Sequence, residues 1–296
     1  MDQIPTASLE LRLLSYNIQA GAQTSQYTDY VTRGWQQVLP YRGRSGVVGA
    51  VGDAVKHYDI VGLQEADDGS LRSGFVNQSQ VLAEQGRFPF WSQQTNRRVS
   101  RISRTCNALL SRVRPVGVEN HRLPAGVPGR VSARGALVAR YGNGDQGLTV
   151  ANVHLALSRR ARRSQLDFLA DRLLNCEYAV AMGDFNAPAS APEMRRFLAR
   201  TGLNTLPCGL HTFPSWRPAR RLDHIFFSDA IALNAATVLA LELSDHCPVV
   251  ADVSVPVNAI SYLPEISAPN VGAGNGLNRG LNDGESDAPD IVAGVA

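Results

Sequence analysis

The chain alternates between short apolar runs and segments in which apolar residues recur every three or four positions. The apolar runs predict nine strands, at residues 11–18, 59–65, 107–111, 136–141, 148–155, 179–184, 222–227, 237–241 and 248–255. The helical spacings predict four helices, at residues 47–57, 76–85, 159–174 and 192–201. Several runs lack polar alternation, which is typical of strands covered on both faces. Strands mixed with helices in this way favour an α/β (α+β) fold.

Two segments break these patterns. The polar, arginine-rich residues 95–105 are interpreted as a loop. From residue 265 the chain is rich in Gly, Asn and Asp and contains no aromatic residue. Such a composition buries too little apolar surface to offset the entropy of ordering. We therefore expect one domain over residues 1–264 and a disordered acidic tail over residues 265–296.

The net charge of +3 is unevenly distributed along the 296 residues. The tail carries five acidic residues and one arginine, so residues 1–264 carry a net charge of +7. Lys56 is the only lysine, and all other basic residues besides histidine are arginines. A basic body indicates an anionic partner without saying which one.

The four cysteines show no CxxC spacing, which argues against a structural zinc site. Buried free thiols in a reducing compartment are the simplest interpretation, and a disulfide between distant cysteines stays open. The first residues lack the basic and apolar regions of a signal peptide, and no apolar run reaches the length of a membrane span. We expect a cytoplasmic monomer.

Polar residues capable of chemistry stand at or near the ends of the predicted strands. They are Asn17, Glu65, His154, Asp184, Asn186, Asp223, Asp245 and His246. Each one alone has an ordinary explanation as a turn former, a cap or a hydrogen-bonded core residue. Eight such positions together favour an active site, because rigid scaffolds place functional groups on the loops that follow their strands.

The motifs around these residues form an ordered series over about residues 11–255. They read SYNIQ, LQEAD, NALLSR, NVHLALSRRARRSQ, GDFNAP, RRLDHIFFS and SDHCPVV. The series resembles the exonuclease–endonuclease–phosphatase superfamily, which includes deoxyribonuclease I, abasic-site endonucleases, sphingomyelinases and inositol-polyphosphate phosphatases. The resemblance implies a four-layer sandwich of two face-to-face mixed β-sheets flanked by helices. It also implies hydrolysis of phosphoesters with Mg²⁺ or Mn²⁺ as cofactor.

The resemblance also implies roles for individual residues. Glu65 matches the main metal-binding carboxylate, with Asn17 beside it and Asp245 completing the metal site. Asp184 matches the group that orients and deprotonates the attacking water. Asn186 matches a donor to the phosphate or to the nucleophile.

The histidines take the remaining roles. His246 matches the histidine that contacts the phosphate, and Asp223 would accept a hydrogen bond from its other ring nitrogen. His154 matches the histidine of the deoxyribonuclease I and sphingomyelinase branches that is linked to protonation of the leaving group or to phosphate contact. Its presence argues against a dedicated abasic-site repair enzyme. Asn107 is a further candidate around the site, or a residue of a strand-start turn.

Arg162 and Trp216 are candidates for substrate contacts. Arg162 continues the apolar stripe of its predicted helix, and a cation is unfavourable in the first turn of a helix. This placement suggests that it binds a phosphate or a carboxylate of the site, and Arg159 is a weaker candidate. Trp216 lies in a Pro- and aromatic-rich segment, where it either stacks on a base, sugar or inositol ring or packs on the edge of the sandwich.

Three functions follow from the sequence, in descending order. The first is metal-dependent hydrolysis of a phosphoester, with a nucleic acid, a phospholipid headgroup or an inositol phosphate as substrate. The second is a non-specific DNA endonuclease or exonuclease, supported by arginines in the predicted loops. The third is a non-catalytic protein that binds a phosphate-bearing ligand on the same scaffold.

Overall fold

The computed structural model describes residues 7–127, 129 and 131–262, and the predicted tail at 265–296 lies outside them. The described residues form twelve strands in two six-stranded mixed sheets. The strands are β1 (Ser8–Asn17), β2 (Ile60–Asp67), β3 (Phe90–Val99), β4 (Ser103–Ser111), β5 (Gly117–Pro124), β6 (Val131–Arg140), β7 (Thr149–His154), β8 (Ala179–Asp184), β9 (Asn204–Thr205), β10 (Asp223–Phe227), β11 (Ala232–Val238) and β12 (Val249–Pro256). The α-helices are α1 (Asp29–Thr32), α2 (Arg44–Val55), α3 (Gln78–Gly86), α4 (Arg159–Leu173) and α5 (Pro192–Thr201).

Each sheet contains one parallel pair near its centre. The first sheet has the order β11-β12-β1-β2-β4-β3, with β1 parallel to β2. The second has the order β5-β6-β7-β8-β10-β9, with β7 parallel to β8. The strands of each parallel pair end at the same edge of their sheet. The loops that follow them therefore meet there.

Three apolar clusters define the layers. One cluster fills the space between the sheets, with Leu13 and Val249 from the first sheet against Val150 and Ile225 from the second. A second packs α2 and α3 on the outer face of the first sheet. A third packs α4 and α5 on the outer face of the second sheet. The structure therefore confirms the four-layer sandwich.

The prediction of a loop at residues 95–105 is wrong. This segment holds the end of β3 and the start of β4, joined by a short turn. Strands β3 and β5 escaped prediction because they are only partly buried and carry polar residues on both faces. Amphipathic strands at a sheet edge lack the continuous apolar run that marks a central strand.

All four cysteines are free thiols, with Cys106 and Cys247 buried and Cys208 exposed. The expectation of free thiols therefore holds, but Cys176 is only partly buried and Cys208 is exposed. Within residues 7–127 and 131–262, none of the helices is both long enough and apolar enough to cross a bilayer.

A buried polar contact ties the two sheets together behind the ends of their parallel strands. Asn152 of β7 donates through Nδ2 to the backbone oxygens of Leu63 at 3.1 Å and Ala108 at 2.8 Å. Its Oδ1 accepts from Gln64 Nε2 at 2.7 Å. Gln64 immediately precedes Glu65, so this contact holds the segment that carries one of the candidate site carboxylates.

Replacing Asn152 with alanine should lower the free energy of unfolding by about 3 kcal/mol or more. The change removes the amide that bonds the buried backbone oxygens of Leu63 and Ala108, and each unmet buried group costs about 1–3 kcal/mol. Urea denaturation measures this loss. Asn234→Ala is the matched control, because Asn234 makes its side-chain hydrogen bond at an exposed position of β11. Equal losses in the two variants would contradict the prediction.

Candidate active site

Strand register brings three of the predicted residues side by side. His154 ends β7 and pairs with Asp184, which ends the parallel strand β8. Asp223 begins the antiparallel strand β10 and pairs with Asp184 from the other side. All three are buried. The second sheet therefore presents two carboxylates and an imidazole in one row at its edge.

Asp184 is the centre of this row. Its Oδ2 accepts from Asn17 Nδ2 at 3.1 Å and lies 3.3 Å from His154 Nε2 and 3.9 Å from His246 Nε2. Burial raises the pKa of Asp184, as does the charge of Asp223, while the charge of His246 lowers it. Asn17 comes from the first sheet, so Asp184 joins the two sheets at the site.

His246 carries a positive charge in this arrangement. Its Nδ1 donates to Asp223 Oδ2 at 2.8 Å, and Thr212 Oγ1 donates to the same oxygen at 2.6 Å. Burial lowers the pKa of His246, but the charges of Asp223 and Asp184 outweigh burial and raise it well above its usual value. At neutral pH, His246 therefore carries a proton on each of its two ring nitrogens.

His154 is the opposite case. Burial, then the charges of Arg134 and His246, lower its pKa well below the usual value, so the ring is neutral. Arg134 approaches His154 Nδ1 at 2.7 Å, and a guanidinium can only donate. Nδ1 must therefore accept, which places the single ring proton on Nε2, facing Asp184 at 3.3 Å and Glu65 Oε1 at 3.8 Å.

The backbone turns the side chain of Glu65 into the cleft. Its φ angle is +57°, an uncommon conformation for a residue with a Cβ atom, and the pairing of β2 with β4 shifts register between Leu63 and Ala66. Such a bulge redirects the side chain that it contains. Glu65 is 31% exposed, whereas Asp184 is 2% exposed. Among the carboxylates discussed above, Glu65 is thus the one that opens toward the solvent of the cleft.

Asp245 faces the same cleft from the loop before β12. Its Oδ2 accepts from Tyr30 OH at 2.6 Å and from Gln19 Nε2 at 3.4 Å. Burial and the charge of Asp245 both raise the pKa of Glu65. A divalent cation would relieve this repulsion between carboxylates, and carboxylate and amide oxygens are the ligands that Mg²⁺ and Mn²⁺ prefer. Glu65 and Asp245, with Asn17 nearby, therefore fit such an ion.

A second group also has the geometry for a metal. Ligand atoms of Asp184, Asp223 and His246 lie within 4.8 Å of one another. A histidine must be deprotonated to bind a metal, whereas both carboxylates favour the protonated His246. We therefore interpret this trio as a charged His246 held between two carboxylates.

Asn186 and Gly183 shape the turn after β8. Asn186 has a φ angle of +53°; its backbone N–H donates to Asp184 Oδ1 at 2.9 Å and its Nδ2 to the Leu155 oxygen at 2.8 Å. Gly183 has a φ angle of +143°, and a Cβ atom there would lie 1.9 Å from the backbone oxygen of Val153. Only glycine fits this close approach. These two residues fix the position of Asp184.

The structure does not bring Arg162 into this cluster. Its guanidinium donates to Glu193 Oε1 at 2.7 Å and to the backbone oxygens of Ala156 and Leu157. Arg159 also pairs with Glu193, at 3.3 Å. A carboxylate of α5 thus compensates the unusual cation in the first turn of α4. Arg162 also holds the loop after His154 through its bonds to the backbone oxygens there.

Asn107 and Trp216 lie around the cluster. Asn107 is fully buried, and its Nδ2 donates to the oxygen of Gly135 at 2.9 Å across the two sheets, beneath Arg134. Trp216 is half-buried at the rim and contacts the edge of Tyr27, with ring centroids 5.3 Å apart. Asn107 therefore supports the floor of the site, and Trp216 belongs to its entrance.

Three residues of the site were missed from the sequence. Arg134 bonds His154 and, with Glu65, lines a cavity of about 580 Å³ beside the cluster. Its sequence signal was a charged residue directly before a buried strand run. Tyr30 and Thr212 gave no signal, because their contacts with Asp245 and Asp223 are made across long sequence separations.

The eight predicted residues thus form one network at the ends of the parallel strands. A comparison with known protein families shows to which of them the chain is related. The model of the Endonuclease/Exonuclease/phosphatase family matches residues 14–246 of the chain. The chain belongs to this family. A comparison with curated protein sequences finds no significant match.

Solved structures of the endonuclease/exonuclease/phosphatase type share the fold. One such protein from Bacteroides thetaiotaomicron matches 84% of this chain and 99% of its own, at 16% identity and a TM-score of 0.64. A mannosyl-6-phosphatase of the same organism matches 82% and 99%, at 18% identity and 0.60. The human Nocturnin catalytic domain, with a bound sulfate anion, matches 87% and 98%, at 18% identity and 0.60. At these identities the likeness extends to the fold alone.

His224, next to Asp223, points away from the site and should make stability depend on pH. It stacks on Phe226 and bonds the Ala187 oxygen at 2.8 Å, and burial lowers its pKa to about 4. The unfolded chain takes up a proton near pH 6.5, so the contribution of this neutral ring is lost as pH falls from about 6.5 to about 4. When the pH is lowered from about 7 to about 5, the free energy of unfolding of His224→Phe should fall by about 2 kcal/mol less than that of the wild type. Urea unfolding curves that shift in parallel would contradict this.

Proposed function

We propose that the protein hydrolyses a phosphoester by direct attack of water on phosphorus, with Mg²⁺ or Mn²⁺ as cofactor. The observation that carries the proposal is the pair of opposed charge groups in one cleft. Glu65 and Asp245 form a negative pole that fits a divalent cation, and His246 with Arg134 forms a positive pole. A phosphate that spans the two poles is held by opposite charges on both sides.

Asp184 is suited to activate the water. Its Oδ2 lies 3.9 Å from His246 Nε2 and 3.3 Å from His154 Nε2, which also faces Glu65. Asn17 and the backbone of Asn186 fix both of its oxygens. Its raised pKa brings it closer to neutral pH, where a general base accepts a proton most effectively. Attack by the water and departure of the ester oxygen complete the hydrolysis without a covalent enzyme intermediate.

The two histidines act differently in this proposal. His246 is an imidazolium whose Nε2–H points into the site, so it donates to a phosphate oxygen and stabilises the charge that develops there. His154 is neutral and donates through Nε2, which makes it a hydrogen-bond donor to the phosphate or the leaving oxygen rather than a strong acid.

The divalent cation, when bound, neutralises charge on the phosphate and polarises it toward attack. Glu65 and Asp245 would hold it, and the Asn17 side chain stands beside them. Tyr30 and Gln19 keep the carboxylate of Asp245 oriented toward the cleft.

The proposal is tested with bis-p-nitrophenyl phosphate and p-nitrophenyl phosphate as soluble substrates. The purified chain should release p-nitrophenol with Mg²⁺ or Mn²⁺ and lose this activity in EDTA. Recovery on adding back the metal controls for damage by the chelator. Metal binding without hydrolysis of any phosphoester would overturn the proposal and favour a binding protein.

Arg134 offers a separate test of the positive pole. Arg134→Met keeps much of the side-chain length but removes the charge and the donor to His154 Nδ1. We expect KM to rise by about tenfold and kcat to fall, because charged hydrogen bonds are worth about 1.5–3 kcal/mol. Arg114→Met, at the opposite end of the sandwich, is the control. A wild-type KM in Arg134→Met would remove this residue from the substrate site.

A further inference from the structure

The exposed apolar side chains of this protein are concentrated around the entrance of the site. Of the fifteen large hydrophobic residues exposed in the described part of the chain, ten come from residues 27–39, 75–76 and 99–102. The most exposed of them are Tyr27 at 62%, Val31 at 86% and Phe75 at 63%. We call these three segments the apolar rim. Exposed apolar residues are normally scattered singly over a protein surface, so a cluster of this kind indicates an interaction surface.

Contacts place the three segments on one side of the cleft. Val38, Val99 and Ile102 line the same cavity as Glu65 and Arg134. The turn that precedes Phe75 is bonded to the turn at residues 101–102 through the backbone N–H of Leu71. Tyr30 reaches Asp245 inside the site. The cavity therefore opens within the apolar rim, and a substrate that enters it passes these side chains.

The stretches of chain that contain the apolar rim are basic. Arg97, Arg98 and Arg101 are exposed between the apolar residues, and the only acidic residue of residues 27–43, 70–76 and 95–105 is Asp29, which is buried and bonded to the backbone of Ser25. Exposed apolar side chains with interspersed arginines match an anionic lipid surface, which accepts apolar groups below a layer of negative charge.

We propose that the apolar rim docks onto an anionic lipid surface and that the substrate is a phosphoester with an apolar chain, presented at that surface. This inference rests on the proposed function for its chemical step. Six of the ten exposed residues are aliphatic and offer no face for stacking on bases, which disfavours nucleic acid. A protein packed on the rim would close the entrance of the cavity, whereas a lipid surface supplies the substrate through it.

Vesicle binding by the full-length chain tests the docking. Sedimentation with vesicles of phosphatidylcholine and phosphatidylglycerol should retain the protein, and vesicles of phosphatidylcholine alone should retain much less. The double variant Val31→Asp/Phe75→Asp should bind roughly tenfold more weakly or worse, because two apolar contacts are lost and two negative charges added. Aspartate suits the φ angle of +64° at Phe75, and Val31 is almost fully exposed, so the fold is preserved.

Val116→Asp is the matched control, because Val116 is an exposed valine at the opposite end of the sandwich and should leave binding unchanged. Both variants should hydrolyse bis-p-nitrophenyl phosphate at the wild-type rate. Release of water-soluble phosphorus from the anionic vesicles should fall in the double variant only.

The outcomes separate the two proposals. No preference for anionic vesicles, or equal binding by the double variant, overturns the docking surface. Vesicle binding without release of phosphorus overturns the lipid substrate, provided that the soluble substrate is hydrolysed. If the double variant instead loses affinity for a labelled single-stranded oligonucleotide while vesicle binding is absent, the rim binds nucleic acid. Vesicle binding without hydrolysis of any phosphoester overturns the proposed function and leaves the docking surface standing.

Discussion

Replacing Asp184 with asparagine should lower kcat on bis-p-nitrophenyl phosphate by about 10³-fold. The change keeps the shape of the side chain but removes the group proposed to take the proton from water, and a positioned general base contributes about 10²–10⁴ in rate. It also removes one of the negative charges that raise the pKa of His246. Steady-state kinetics with saturating metal measures the loss.

Asp171→Asn is the control for this variant. Asp171 is an exposed aspartate of α4 that pairs with Arg200, outside the site. Circular dichroism and thermal unfolding should show that both variants are folded. A kcat within tenfold of the wild type in Asp184→Asn would remove Asp184 from the role of base, whatever the effect on KM.

Replacing Glu65 with glutamine should weaken the binding of Mn²⁺ by about 100-fold or more and lower activity with it. One of the two carboxylates proposed to hold the ion is lost, and even the loss of a residue that only supports a metal ligand costs about 10–100-fold in affinity. Titration of Mn²⁺ followed by electron paramagnetic resonance measures the affinity directly. Glu84→Gln, at an exposed position of α3, is the control.

Thermal unfolding without and with metal gives a second test of this variant. Without metal, Glu65→Gln should be as stable as the wild type or more stable, because burial and the charge of Asp245, which raise the pKa of Glu65, penalise a carboxylate and not an amide. With saturating Mn²⁺ the wild type should gain stability by ligand linkage and the variant should gain much less. A variant that loses stability without metal and binds Mn²⁺ normally would assign Glu65 a structural role.

The sequence predicted the central parts of the fold well. Strands β7, β8 and β10 and helices α4 and α5 were located to within a residue or two, because buried parallel strands and amphipathic helices have strong periodic signals. The edge strands β3 and β5 were missed because their two faces are alike in polarity. The site residues at strand ends were visible because a carboxylate or imidazole that closes an apolar run is conspicuous.

Arg162 shows where reasoning from pattern found the anomaly but left its partner open between a phosphate and a carboxylate. A cation in the first turn of α4 does require a compensating group, and the sequence showed that requirement. In the structure the group is a carboxylate, that of Glu193 of α5, which lies 31 residues away in the chain and outside the cluster around Asp184. Packing of α4 against α5 decides this pairing, and no local pattern encodes it.

The sequence by itself determined the alternation of strands and helices, the eight polar residues at strand ends and the family that they resemble. Only the tertiary structure decided the charge states of the two histidines, because these depend on partners that the fold brings together: Arg134 beside His154, and Asp223 with Asp184 beside His246. The tertiary structure also brings together the three segments of the apolar rim, which are distant in the chain. Electrostatic energies depend on distance in space and on burial, and neither is a property of sequence spacing.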